Sequence, residues 1–369
     1  MNPVAWQRFL QLPMPSRHDV DWRHLDLRAL RLERVEKRTQ PARVTFRGQP
    51  PTGVIFGKLS GHRTEANRFL GKAIAWENRH KFVALHEALW EDGAVVLVPK
   101  NCRVTDPLEI HYELPNHDSA AFPRTLIVLE PGAEATVVQK YTGAPSLQAG
   151  ATELFVQPGA HLHYISLHQL APTSFDFLIK RARVAQDAEI DWVIGMFGAA
   201  LGRYDIECEM EGRGGSSFMY GVGLGAGQEQ LAQFTHQHHR SGDTTSDLLF
   251  KNVLRDRAVS SYTGTIRVEK NCNGTNAYQS NRNLVLSREV QCDTRPVLEI
   301  ESNQLRCTHG ATVGRLDDNQ MFYLRSRGLN EAQARQILIE AFLEPVLARI
   351  RVDTVRREFE ELIRQKIIR

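Results

Sequence analysis

From about Ala94 to Val313 the chain shows almost no helical periodicity. Short apolar or alternating runs recur instead: Val95–Val98, Leu126–Leu129, Ala135–Val138, Leu154–Val156, Leu162–Ile165 and Ile190–Val193. Such runs read as strands, because side chains alternate between faces with period two. Tight turns with a small residue separate them: Pro131-Gly132-Ala133, then Pro158-Gly159-Ala160, then Gln186-Asp187-Ala188, with the alanines 27 and 28 residues apart. One corner repeated at a spacing in the twenties is a solenoid signature. The pattern predicts an all-β core, a right-handed parallel β-helix with two strands and two corners per repeat. A hairpin sandwich would give short strands without regular corners. Glu211–Ser217 and Gly221–Gly227 mark a looser middle, the second read as a flexible loop, and regularity resumes from Leu248 to Val313.

Helical spacing flanks this core and divides the chain into 1–92, a mostly helical region, 93–314, the β-helix, and 315–369, a second helical region. Phe82, Leu85, Leu89 and Trp90 form an amphipathic stripe that Gly93 stops. Asn330 with Gln333 reads as a capping box, followed by the apolar face of Ile337, Leu338, Ala341 and Phe342. Pro345 is predicted to start another helix, with Val346, Ile350, Phe359, Leu362, Ile363 and Ile367 as its stripe. This helical pair is expected to cover the end of the solenoid, where strand edges are otherwise bare, and to keep apolar surface for a partner.

Composition narrows the function classes. The chain has 369 residues, 42% of them hydrophobic, enough for a large core; its net charge is only +3, with basic residues spread out. Neither a nucleic-acid surface nor a membrane surface is indicated. No apolar run is long enough to span a bilayer, and Met1–Leu12 lacks the pattern of a signal peptide. Five cysteines without CxxC spacing read as reduced thiols. A cytosolic protein is expected.

Few segments carry chemistry. Gly53-Val54-Ile55-Phe56-Gly57-Lys58-Leu59 has the wrong glycine spacing for a phosphate loop, and a leucine where the metal-binding hydroxyl belongs. The Gly221–Gly227 run lacks a dinucleotide-fold setting. No nucleophile elbow is present. His236 and His238 would share a strand face, within reach of a metal, but a plain polar face suits them better. Cys307 and His309 also share a face, and a thiolate beside an imidazole makes half of a metal or iron–sulfur site. A buried structural thiol beside a surface histidine is the alternative. Cys272 and Cys292, on preceding rungs, could stack near Cys307.

The strings Cys307-Thr308-His309-Gly310-Ala311-Thr312-Val313-Gly314 and Met321-Phe322-Tyr323-Leu324-Arg325-Ser326-Arg327-Gly328 resemble the SufB/SufD family of iron–sulfur cluster assembly proteins, and Gly310 after the histidine resembles its SufD branch. Asn281–Ser287, Arg295–Ile300 and Phe82–Leu89 with Asp92-Gly93 are similar to the family as well. The resemblance implies a β-helix between helical regions and a non-catalytic scaffold. It implies pairing with a SufB-like paralogue, and a SufC-like ABC ATPase docked on the C-terminal helices. It also implies a transient iron–sulfur cluster or iron at the SufB–SufD interface, with Cys307 and His309 as its ligands from this chain. A flavin in the complex and self-association of the isolated chain are further expectations from it. Two rivals stand beside this reading: a structural adaptor that contributes no ligand, and a β-helix polysaccharide enzyme, which would need a carboxylate-lined groove.

Overall fold

The computed structural model describes residues 1–33, 35–76 and 79–368, and the side chains of Ile367 and Ile368 lie outside what is described. The expected place of Ile367 in the last apolar stripe is therefore untested.

The core is a parallel β-solenoid of about eight turns built from two long sheets. One contains β1 (Arg43–Arg47), β4 (Leu108–Leu114), β7 (Glu134–Gly143), β9 (His161–Leu170), β11 (Glu189–Met196), β13 (Ser216–Gly225), β15 (Thr245–Leu254), β17 (Asn276–Val285) and β19 (Arg306–Gly314), in that spatial order. The other contains β2 (Ile55–Lys58), β3 (Gly93–Val98), β6 (Arg124–Leu129), β8 (Leu147–Val156), β10 (Phe175–Val184), β12 (Leu201–Met210), β14 (Gln230–His239), β16 (Val259–Val268) and β18 (Gln291–Ile300). The short β5 (Ala120–Ala121) pairs beside β8. Only β1 and β2 run antiparallel to their neighbours.

The repeated corner is a column of left-handed residues. Asn101, Gly132, Gly159, Asp187, Gly214, Asp243 and Gly274 all have φ between 52° and 75°. Each amide bonds the next rung's corner, as in Gly132 to the Pro158 carbonyl and Gly159 to that of Gln186, both 2.9 Å. Glycine and Asn/Asp tolerate this conformation best. They also interlock: a Cβ on Gly132, Gly214 or Gly274 would lie 2.1–2.4 Å from Oδ1 of Asn101, Asp187 or Asp243.

The sequence expectations fail at several places. Gly221–Gly225 is not a loop but part of β13. A Cβ at Gly221 would meet the Phe250 ring at 2.5 Å, and one at Gly223 would meet Asn252 Oδ1 at 2.2 Å, so these glycines make room for the next rung. The stripe helix ends at Leu89 with extended Trp90, and Gly93 opens β3, where a Cβ would strike the Arg124 carbonyl at 1.7 Å. The first 92 residues hold less helix than predicted: α1 (Pro3–Gln11), α2 (Arg63–Ala66) and α3 (Lys81–Leu89), with short 3-10 turns and the two strands β1 and β2. Pro345 begins no helix; it lies inside the helix Glu331–Leu347.

After β19 come α4 (Asp318–Ser326), α5 (Glu331–Leu347) and α6 (Asp353–Ile363). Asn330 and Gln333 form the predicted capping box. The helices do not cover the end of the solenoid. Ile339, Leu343, Val346, Phe359 and Ile363 pack on its flank, against Val138, Ile165, Val193, Val222, Val253 and Leu284. Those outward positions of the first sheet are apolar rung after rung, so burying them outweighs capping the end. At Gly195 a Cβ would meet the Phe359 ring at 2.6 Å, so the ring fits only over glycine.

On the second sheet, α1 and α3 cover the opposite flank, with Phe82 stacked on Phe177 at 3.8 Å. Inward-facing positions form one long core from Ala94 and Val96 to Phe250 and Tyr262.

Because Phe359 is fully buried, Phe359→Ala should cost about 3–5 kcal/mol. The expected result is a lower urea midpoint, with α5 and α6 becoming the first segments cut in limited proteolysis.

Candidate functional site

The last turn leaves the solenoid open. β18 and β19 end their sheets, so each has a hydrogen-bonded neighbour on one edge only. Their residues are mostly half-buried or exposed, unlike the buried strands before them.

The register decides where Cys307 and His309 point. Cys307 lies beside Ala277, and His309 beside Gln279. Ala277 belongs to an apolar cluster with Ile266, Val268 and Cys272, against which Cys307, Leu298 and Leu305 pack. By alternation, His309 faces the same way, into the mouth of the lumen. The thiol is half-buried and the imidazole exposed. Burial pushes the Cys307 thiol up from its ordinary value, so it holds its proton more tightly than a free cysteine does.

The floor beneath is polar. Gln279 Nε2 donates to the Gly264 carbonyl at 3.0 Å, and its Oε1 is buried without a partner. Asn283 Nδ2 donates to Asn281 Oδ1 at 2.6 Å and to the Thr312 carbonyl of β19 at 3.2 Å. Asn252 continues inward to Asn283 and Gln233. The sequence reading missed this amide ladder. Its only signal was the polar letter at every second position of β17.

The other candidates divide between that cluster and the opposite wall. Cys272 is buried in the same cluster and directs its thiol to the His239 carbonyl at 3.5 Å. Cys292 lies on β18, in the opposite wall, beside Ser260. Among the described residues no three His, Cys, Asp or Glu groups converge as a metal site. Cys307 and His309 thus stand as a pair without a third such group among the described residues. His236 and His238 share an outward face, with rings 5.5 Å apart, and His238 bonds Glu269 at 2.9 Å. His238 is thereby satisfied, whereas Nε2 of His236 is buried without a partner. His239 points inward instead, onto Thr244 and Ser246.

Beyond β19, Asp317 caps α4 through the Asn319 and Gln320 amides. No residue of α4 is buried, and Phe322 and Tyr323 are 74% and 56% exposed. Phe322, with Leu316, Met321, Leu329 and Arg335, borders an open groove of about 890 Å³ lined also by α5. Among the described residues no helix is long and apolar enough to cross a membrane, and all five cysteines are free thiols.

Comparison with known proteins gives a consistent match. Residues 112–342 match the domain described as SUF system FeS cluster assembly, SufBD core domain. The chain is 28% identical over 271 residues to the iron-sulfur cluster assembly SufBD family protein of Staphylococcus saprophyticus. It is equally similar to the proteins of that name in Staphylococcus aureus strains USA300 and NCTC 8325. Each alignment covers 72% of this chain, which spans 58% of the relative's length.

The thiol environments order the reactivity of the cysteines. At pH 8 Cys307 should alkylate with iodoacetamide more slowly than in the urea-unfolded chain, and accelerate above pH 9 as the thiolate forms. Buried Cys208, pushed up to about 12, should label only after unfolding. Peptide mass spectrometry over time checks both, and equal folded and unfolded rates for Cys307 would contradict its half-buried setting.

Proposed function

The chain belongs to the SufBD family of iron–sulfur cluster assembly proteins, and from that premise we propose that it is a SufD-type scaffold subunit without turnover of its own. In this reading it pairs with a SufB-like chain through the open end of the solenoid. It carries a SufC-like ABC ATPase on α4 and α5, and works in the cytosol, where its free thiols stay reduced.

One observation carries the proposal. The last strand presents Cys307 and His309 into the lumen mouth, beside two unpaired strand edges. Iron in nascent clusters takes thiolate ligands, and imidazole can replace thiolate. Two donors leave an iron incompletely held, so the remaining ligands come from the partner that closes the end. The bare edges offer that partner main-chain hydrogen bonds. Here the iron or cluster is cargo, and a site split between chains opens when they separate. Phe322 and Tyr323, exposed on an otherwise unpacked helix, have the character of interface anchors.

The packing of Cys307 against Ile266, Val268 and Ala277 supports the adaptor as a second reading, in which the thiol is structural.

Two experiments test the proposal in the reconstituted complex. The double variant Cys307→Ser with His309→Ala should leave the complex assembled and lower cluster yield at least tenfold, by iron and sulfide analysis. Full yield would favour the adaptor. Phe322→Ala with Tyr323→Ala should weaken ATPase binding by about 2 kcal/mol, roughly thirtyfold in Kd, in calorimetry; unchanged affinity would remove α4 from the dock.

A further inference from the structure

His163, on the outward face of β9, is 6% exposed, and neither ring nitrogen has a hydrogen-bond partner. A buried, unpaired imidazole carries a desolvation cost that native structures normally offset. Its setting is a groove of about 420 Å³ between the solenoid flank and the α5–α6 turn, bordered by His161, Glu189, Asp191 and Arg351.

The register makes these residues a square. Glu189 lies beside His161 and Asp191 beside His163, on neighbouring parallel strands. Residues two apart share a face, so all four project outward. His161 Nδ1 is 4.0 Å from Glu189 Oε1, and His163 Nδ1 is 4.0 Å from Asp191 Oδ2. Both gaps are too wide for hydrogen bonds, yet one ion with bonds of about 2.0–2.2 Å spans such a gap.

We propose that His161, His163, Glu189 and Asp191 form a binding site for a divalent first-row transition-metal ion on the flank of the solenoid. Two imidazoles with two carboxylates suit zinc or ferrous iron better than magnesium or calcium. The site is separate from Cys307 and His309, which face the lumen of the last turn, and it stands whether or not they hold iron.

The surrounding charges agree. Neither ring nitrogen of His163 is engaged by another protein group, which leaves the imidazole free to ligate. Glu134, one rung away, is occupied by Arg103 at 3.0 Å. Arg351 bonds Asp191 from a side chain that is 66% exposed, and an entering dication displaces it. Among the described residues no three such groups converge before metal enters. The half-exposed side chains of His161 and Glu189 are the ones that turn inward.

The test uses the full chain, chelator-treated, in the Cys307→Ser, His309→Ala background, titrated with Co2+ and followed by visible absorption. One Co2+ per chain is expected, with d–d bands, no thiolate charge transfer, and displacement by Zn2+. His161→Gln and Glu189→Gln, at exposed positions that do not threaten folding, should each weaken binding at least tenfold. Arg351→Ala should tighten it severalfold. No Co2+ uptake in that background, or uptake insensitive to both His161→Gln and Glu189→Gln, would overturn the site.

Discussion

In-register stacking of identical corners governs this protein. Each turn contributes one left-handed residue at the same place, and each corner amide bonds the corner carbonyl of the next turn. That ladder forbids slippage, because a shift of one residue would move every side chain to the opposite face. It also turns a linear motif into a grid. Two residues spaced by one repeat become neighbours about 4.8 Å apart across the sheet. The stacking has no internal means of ending, however. The first sheet begins with antiparallel β1 and the second with antiparallel β2, but β18 and β19 end with bare edges.

The flanks and the end divide the work. Apolar outward columns on the first sheet bind α5 and α6, and those on the second bind α1 and α3. These four helices are thus spent on the sides, and α4 is left exposed. Within the lumen the early turns are mostly aliphatic and aromatic but enclose a buried polar cluster of Gln139, Lys180, His168 and Asp176, and the last turns carry Gln233, Asn252, Asn283 and Gln279. A polar lumen that ends at an open mouth is poorly suited to a sealed core. It suits a surface that a second chain completes.

Incompleteness is also the chemical theme at Cys307. On the proposal above, a lone thiol beside an exposed imidazole, with its proton held more tightly by burial, would be an incomplete iron site until a partner adds ligands. Ligands from a second chain would shift that balance, because a metal drives thiol deprotonation once coordination is filled. In that reading assembly and loading would be one event, restricting cluster chemistry to the assembled complex.

Much of the fold was legible in the sequence. Alternation, the Pro-Gly-Ala corners and their spacing identified the solenoid, because period two and a repeated left-handed corner are local properties. The Asn330 capping box was equally local. The pairing of Cys307 with His309 needed only the two-residue period of a strand. Other features depended on register, which no single segment contains. The glycines of β13 read as a loop because their reason, the Phe250 ring and Asn252 of the next turn, lies about thirty residues away. The His161–Glu189 and His163–Asp191 pairs are one repeat apart, so the spacing of Ala160 and Ala188 would have aligned them had it been carried into the outward positions. The position of α5 and α6 was misjudged because an amphipathic stripe states that a face must be buried, not where. Sequence alone thus determined the type of repeat and the shared face of Cys307 and His309 on its last strand. Tertiary structure decided which face each donor shares and which edge stays open, since those depend on non-local packing against other turns.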